Sequence, residues 1–303
     1  AQEGQVWYNT TSTVLKGFAK AGTGAWSSGG DVNTPRTVFG AAGTQDAAVI
    51  FLGESPYADK NRTEEYNGST WTETNNCITA RQSPTNSIGT QTTAMAVGGN
   101  PGGSLNEQYD GTSWAEGNDL SSSTYGRGGA GTSTAGLAWG GTTGPSGPGV
   151  QTTNETWDGT SWTEVNNVNT ARFFCNGAGT QTAAITTGGQ APAFSKVTEQ
   201  WDGTSWTEVA DLNAVATQFA SAAAGTSTAW LVASGGRPGT SALTEEWDGT
   251  SWTEVADLAT ARIASEGAGT TLAALVAAGN TPGGYTAGCE EWNTPNAIKT
   301  FTA

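Results

Sequence analysis

The stretch "EEWDGTSWTEVADLATAR" at residues 245–262 decides the fold, because the chain repeats it with few changes. Near-copies stand at residues 199–216 and 155–172, and weaker copies begin at residues 107 and 64. A catalytic site is needed once per chain, whereas a structural unit can be needed many times. The repeat therefore indicates architecture, and function is expected at the positions that do not repeat.

One tryptophan of the repeat recurs at a regular interval along the chain, and each interval contains four short runs of strand character. The six tryptophans lie 43–48 residues apart: Trp26, Trp71, Trp114, Trp162, Trp206 and Trp252. Each run is short and bounded by turn residues, as β-strands are. Asp-Gly or Asn-Gly between the third and fourth runs favours a tight hairpin. Four strands per unit at this period predict a β-propeller.

Counting the runs predicts an all-β, six-bladed propeller with four-stranded blades over residues 24–293. The last acidic-aromatic run ends at Trp292 without a following "DGTSW" hairpin, while "GAWSSGGDVNTPR" (24–36) supplies an outer strand without a preceding third strand. We therefore expect the N-terminal strand to complete the last blade and close the ring, which removes an exposed edge. Residues 1–23 predict an N-terminal β-hairpin appendage, and residues 294–303 a C-terminal strand or tail.

Composition excludes several classes of function. A net charge of −15 over 303 residues argues against nucleic acid and anionic membrane surfaces as partners. No apolar stretch reaches the length of a membrane span. Histidine is absent, which removes histidine bases and imidazole metal ligands, and the three cysteines are far apart and predicted to be buried free thiols. We expect no cofactor and no metal.

Loops between the second and third strands of each blade differ in every repeat. They lie on the same propeller face as the loops that lead from one blade to the next, and they carry aromatic and cationic residues that are scarce elsewhere. Variable loops on a uniform scaffold are typical of binding sites, although neutral drift is an alternative. The candidate ligand-binding residues on this loop face are Trp139, Tyr57, Phe194, Tyr285 and Arg237.

The arginine of the "TAR" element is the second candidate. It recurs as Arg36, Arg81, Arg172 and Arg262, which we expect to open around the channel mouth on the loop face. One interpretation is structural, with each guanidinium satisfying backbone carbonyls or a neighbouring acid between blades. The other is a ring that binds an anionic ligand.

A strand ending in Gly-Gly, an acidic-aromatic pair, a tryptophan and a short run leading to arginine together resemble the kelch repeat over residues 24–293. The third blade departs from it, with Thr124 at the arginine position, and so does "AVATQFA" (214–220). Kelch blades also carry copper oxidation of the galactose-oxidase type, which needs histidine ligands and is therefore excluded.

The sequences of the segment "GQVWYNTTSTVLKGF" (4–18) and of the "GTQTAA" and "DGTSWTE" units are similar to those of repeat proteins of marine tailed phages. That resemblance implies a non-enzymatic virion protein, in a tail or capsid appendage, that binds another virion protein or a host-surface glycan. It implies no membrane insertion and allows a homo-oligomer. The alternatives are a secreted kelch-type adhesin at the cell surface, or a polysaccharide-degrading enzyme using carboxylates such as Glu54, Asp59 or Glu266.

Overall fold

The computed structural model describes residues 6–9, 14–20, 22–57, 60–85, 87–144, 149–190, 193–222, 224–236 and 239–301. Every regular element in these ranges is a β-strand, and they contain no helix that could cross a membrane. The strands form six antiparallel blade sheets and two smaller sheets. The prediction of a six-bladed β-propeller is confirmed.

Four blades consist of four consecutive strands, each paired antiparallel with the one before. The first blade contains β4 (Gly40–Thr44), β5 (Ala47–Phe51), β6 (Thr63–Tyr66) and β7 (Trp71–Glu73). The third contains β11 (Gly128–Thr132), β12 (Ala135–Trp139), β13 (Asn154–Trp157) and β14 (Trp162–Val165). The fourth contains β15 (Asn176–Thr180), β16 (Ala183–Thr187), β17 (Thr198–Trp201) and β18 (Trp206–Glu208). The fifth contains β19 (Ala220–Ser221), β20 (Trp230–Ala233), β21 (Thr244–Trp247) and β22 (Trp252–Glu254).

The second blade has three regular strands: β8 (Met95–Val97), β9 (Asn106–Tyr109) and β10 (Trp114–Glu116). Its innermost segment pairs with β8 through an isolated bridge between Thr85 and Val97. Pro84 in this segment has no N–H to donate to a ladder. Ser83 and Ser87, on either side, have positive φ angles of 54° and 70°, which interrupt an extended strand.

The sixth blade joins the two ends of the propeller. It contains β23 (Glu266–Gly269), β24 (Ala273–Ala277), β27 (Cys289–Asn293) and the N-terminal β3 (Ala25–Ser28). Trp26 of β3 pairs with Trp292 of β27, and their rings lie 5.5 Å apart. This pairing confirms that the N-terminal strand closes the ring. The loop of this blade holds a short hairpin of β25 (Asn280–Thr281) and β26 (Gly284–Tyr285).

A separate three-stranded antiparallel sheet forms from the ends of the chain. It contains β1 (Val6–Asn9), β2 (Val14–Lys20) and β28 (Asn296–Phe301), in the order β1-β2-β28. The register of β2 with β28 runs from Leu15 opposite Phe301 to Lys20 opposite Asn296.

The repeated letters build the hairpin between the third and fourth strands of each blade. In the third blade, Asp158 Oδ1 accepts hydrogen bonds from the backbone N–H groups of Thr160 and Ser161, both at 2.8 Å. Gly159 has a φ of 94°, a conformation that favours glycine. The turn places Trp157 opposite Trp162, with ring centroids 5.3 Å apart. The other five blades pair Trp or Tyr with Trp in the same way.

Glutamines at the turn between the first and second strands connect neighbouring blades. Gln181 Nε2 donates to the carbonyl oxygens of Gly136, at 3.1 Å, and Trp157, at 2.6 Å, both in the preceding blade. Gln45 and Gln91 each bind two carbonyls in the same way. These contacts lie on the face opposite the variable loops, so that face is used by the fold itself.

Candidate functional site

A closed ring of backbone hydrogen bonds surrounds the channel at the loop face. Its members stand two residues beyond the position of the "TAR" arginine in each blade, and every N–H donates to the carbonyl oxygen of the equivalent residue in the preceding blade at 2.6–3.1 Å. We call these residues the mouth ring: Val38, Ser83, Gly126, Phe174, Gln218 and Ala264. The circuit fixes the distance between all six blades at the mouth.

Every residue of the mouth ring has a positive φ, between 47° and 67°. For residues other than glycine this left-handed conformation costs about 1–2 kcal/mol each, so the hydrogen-bonded circuit holds the backbone against a local preference. Gly126 is the one glycine of the mouth ring. A Cβ at this position would lie 2.9 Å from Phe174 Cδ1. The Phe174 ring therefore occupies the space in front of the third blade.

A second set of backbone bridges flanks the mouth ring. In each blade the residue after the arginine position pairs with the residue that follows the second strand's glycine. The six pairs are Thr37 with Glu54, Gln82 with Asn100, Tyr125 with Thr142, Phe173 with Gln190, Thr217 with Gly236, and Ile263 with Asn280. These positions are structurally equivalent, yet no two blades have the same pair of residue types, although Thr recurs once at the first position and Asn once at the second. The mouth is thus where a repeated backbone presents non-repeated side chains.

Six residues of these pairs and four residues of the mouth ring line a depression of about 360 Å³, which we call the mouth depression. That volume falls in the range of about 300–1,000 Å³ typical of small-molecule sites. Side-chain amides dominate the lining: Gln82, Asn100, Gln190 and Gln218. Three aromatic side chains, one carboxylate and two residues of the mouth ring complete it: Tyr125, Phe173, Phe174, Glu54, Val38 and Ser83.

Most of these amides are not used by the fold. The side chains of Gln82, Asn100 and Gln218 form no hydrogen bond with any described residue. By contrast, the blade-connecting glutamines described above each donate to two carbonyls. An amide offers both donors and an acceptor, so the mouth depression presents uncommitted hydrogen-bonding groups of both kinds.

The aromatic residues form one wall of the mouth depression. Phe174 lies 4.7 Å from Phe173 and 6.3 Å from Tyr125, measured between ring centroids. Phe173 is buried, whereas Phe174 and Tyr125 are half-buried. The Tyr125 hydroxyl donates to the carbonyl of Gly144 at 2.9 Å, and burial raises the pKa of Tyr125. The wall therefore offers apolar, uncharged surface.

Charge at the mouth depression is confined to one carboxylate. Glu54 Oε1 lies 4.0 Å from Lys60 Nζ, and both side chains are about two-fifths exposed. Lys60 itself is not among the residues lining the depression, which include no lysine or arginine. An anion bound here would meet no cationic side chain of the lining.

The aromatic candidates of the variable loops lie outside the mouth depression. Tyr57, Phe194 and Tyr285 are exposed by 59%, 36% and 41%, on the loops of the first, fourth and sixth blades. None of them lines the depression. Arg237 lies outside the described residues.

The structure corrects the expectation for Trp139. This side chain is fully buried: its Nε1 donates to Thr186 Oγ1 at 2.9 Å, and its ring packs edge-on against Trp206 of the fourth blade at 5.0 Å. As the last residue of β12 it fills the space between the third and fourth blades. It is therefore part of the core and does not face a ligand.

The "TAR" arginines are buried within the blades, not open at the mouth, which corrects their expected placement. Each guanidinium is at most 2% exposed and pairs with a buried glutamate: Arg36 with Glu64, Arg81 with Glu107, Arg172 with Glu199, and Arg262 with Glu290. They also donate to backbone carbonyls. This geometry agrees with the structural interpretation of the arginines and not with an anion-binding ring. None of these four guanidinium groups lines the mouth depression.

Sequence reasoning missed Arg127, which takes over this role in the third blade. Thr124 stands at the usual position, and Arg127, three residues later, directs Nη2 to Glu155 Oε1 at 3.4 Å and to the carbonyl of Ser122 at 3.1 Å. Its Nε and Nη1 have no partner, and burial lowers its pKa to about 10. The signal in the sequence was Glu155 itself. It stands at the repeat position of the paired glutamates, although its blade has Thr124 in place of the "TAR" arginine.

Behind the mouth ring the channel narrows to a cavity of about 20 Å³, lined by Arg127, Asn176 and Glu266 among others. That is room for about one water molecule. Glu266 accepts a hydrogen bond from Asn176 Nδ2 at 3.2 Å. All six residues of the mouth ring line this cavity. Of the carboxylates considered for catalysis, Glu54 lines the depression, Glu266 lines the smaller cavity, and Asp59 lies outside the described residues.

Among the described residues, no group of three or more His, Cys, Asp and Glu side chains is arranged to hold a metal ion. No protein-family model matches the chain, and no curated protein shows significant similarity to it.

Proposed function

We propose that this protein is a non-enzymatic binding protein whose ligand contacts the mouth depression. The observation that carries the proposal is the contrast between framework and mouth. The backbone is repeated six times, but the side chains at equivalent mouth positions differ, and three of the amides there are not used by the fold. A fold has no need of uncommitted amides gathered in one concave site.

The presence of a single carboxylate in the lining supports binding without chemistry. Glycoside hydrolysis uses two carboxyl groups within about 5–10 Å on either side of the scissile bond. In the mouth depression Glu54 is the one carboxylate of the lining. The net charge of −15 further supports a partner other than nucleic acid or an anionic membrane.

The biological setting that we propose is the surface of a phage particle. Support comes from the kelch-like repeat and from the similarity of this sequence to repeat proteins of marine tailed phages. In that setting the propeller is a tail or capsid appendage that recognises another virion protein or a host-surface glycan, as a monomer or homo-oligomer. A secreted adhesin would use the same mouth depression.

Two measurements test this proposal. Immunogold labelling with an antibody to the protein should decorate purified particles, and an absence of label would contradict the virion setting. Labelled protein should bind host cells or purified virion proteins, and the double variant Gln82→Ala/Gln218→Ala should lose that binding. Gln108→Ala is the matched control, because it removes a half-buried amide from β9 that does not line the depression. Equal binding by all three proteins would refute the mouth as the site.

A further inference from the structure

We infer that the mouth depression binds an uncharged saccharide, meaning a ligand rich in hydroxyl groups and free of carboxylate, phosphate and sulfate. This inference rests on the proposed function, since it names the ligand class of the same site. Three features of the lining lead to it: the chemistry of the amides, the aromatic wall and the distribution of charge.

Hydroxyl groups are the ligand chemistry that uncommitted amides satisfy best. A sugar hydroxyl donates one hydrogen bond and accepts others, and each amide of Gln82, Asn100 and Gln218 does the same. The Oε1 atom of Gln82 is buried and unpartnered. A ligand hydroxyl that pairs with this acceptor would remove the cost of leaving it unsatisfied. A saccharide provides several such donors in one small ligand.

The aromatic wall provides the second half of saccharide recognition. One face of a pyranose ring is a patch of C–H groups, and it packs against the electron-rich face of an aromatic ring. Phe174 and Tyr125 are half-buried and stand beside the amides, so one ligand can contact both. Polar groups facing an apolar wall match a ring with hydroxyls on its edge.

Charge excludes the acidic saccharides. The lining contains Glu54 and no lysine or arginine. The guanidinium groups of Arg36 and Arg81 are buried and paired with glutamates, and Arg127 lines the smaller cavity at the mouth ring and not the depression. A uronic acid, sialic acid or sulfated sugar would lose solvation without gaining a counter-ion. Glu54 instead suits a neutral hydroxyl, to which it offers a charge-assisted acceptor.

The dimensions of the depression favour a saccharide over a protein partner. Stable protein interfaces bury on the order of 1,000 Å² or more, with apolar anchors at their centre. Here the centre is a depression of about 360 Å³ in which four of the ten lining residues carry side-chain amides. The end or a side branch of a glycan fits such a depression.

The test begins with a glycan array that contains neutral glycans and their sialylated, sulfated and uronic counterparts, followed by calorimetric titration of the best binder. We expect the intact chain to bind neutral glycans. Gln82→Ala and Gln218→Ala should each weaken binding about five- to tenfold. Gln108→Ala should leave binding unchanged, and tryptophan fluorescence should show that all variants are folded.

A variant that introduces a positive charge separates this inference from the proposed function. Gln218→Lys places a cation in the mouth depression and should add binding of acidic glycans, which supports the inferred site. If the intact chain binds acidic glycans, and the alanine variants lose them, the uncharged class is wrong but the mouth remains the site. If it binds no glycan but captures a virion protein through the same amides, the saccharide is wrong and the binding function stands. Binding that no mouth variant changes overturns both.

Discussion

Replacing Arg172 with methionine is expected to destabilise the protein by about 3–5 kcal/mol, the usual result of removing one partner of a buried ion pair. The guanidinium is 1% exposed and pairs with Glu199 at 2.6 Å. It also donates to the carbonyls of Gly188 and Val197 at 3.1 and 2.9 Å. Methionine fills similar volume but leaves the two carbonyls without this donor, and leaves buried Glu199 with the N–H groups of Asn169 and Thr170 and no counter-charge.

Arg127→Met is the matched comparison and should cost less, about 2 kcal/mol or below. The Arg127 guanidinium contacts Glu155 at 3.4 Å and already leaves two buried nitrogens unpaired. Glu155 keeps other donors without it, from the Ser121 N–H at 2.8 Å and from the hydroxyls of Ser121 and Ser122. The two substitutions are identical in chemistry, so only the contacts differ.

Denaturant unfolding followed by tryptophan fluorescence measures both costs. For a chain of 303 residues, a loss of about 3–5 kcal/mol lowers the Tm by about 5–8 °C. The denaturant dependence, m, should be unchanged, since a changed m would signal an altered denatured state or loss of two-state behaviour. Equal losses for Arg172→Met and Arg127→Met would refute the reasoning, and so would a stable Arg172→Met.

Three further predictions concern the closure, the turns and the thiols. A chain lacking residues 1–30 should melt broadly and at lower temperature, because β27 keeps β24 but loses β3, and buried Trp292 is exposed. A chain lacking residues 1–22 should keep a sharp melt. Turn hydrogen bonds lower the pKa of the four Asp-Gly aspartates from 3.8. Their stabilisation is therefore present above 3.8 and lost as pH falls through the lowered value. Asparagine at all four turns should flatten the fall of Tm below about pH 4. The three cysteines are buried, and burial raises their pKa, that of Cys289 to about 12, so a thiol reagent at pH 8 should label them only after unfolding; labelling of the native protein would contradict this burial.

The blades could be predicted from sequence because their signals are local. The Asp-Gly turn fixes a hairpin, the hairpin fixes the register of Trp157 with Trp162, and the period of the tryptophans counts the blades. Closure by β3 followed from a missing strand at one end and an extra strand at the other. Each of these inferences needs only residues within a single repeat or a comparison of repeats.

The candidate site was less accessible to sequence because burial depends on the neighbouring blade. Trp139 looks like a rim residue beside Gly-Gly, but the fourth blade covers it. The sequence also places the arginines beside the mouth, but it does not show which way a side chain turns. Each guanidinium turns inward to a glutamate of its own blade. The mouth depression joins residues from five blades, and no local pattern shows that Gln82 and Gln218 share one site.

The pairing of β2 with β28 determines how the molecule responds to mechanical load. The two strands are antiparallel, and their ladder runs from Lys20 opposite Asn296, next to the β3–β27 pair that closes the ring, to Leu15 opposite Phe301. A force that pulls Leu15 and Phe301 apart therefore breaks the ladder one residue pair at a time towards Lys20 and Asn296. The ring closure carries that load only after this ladder has opened.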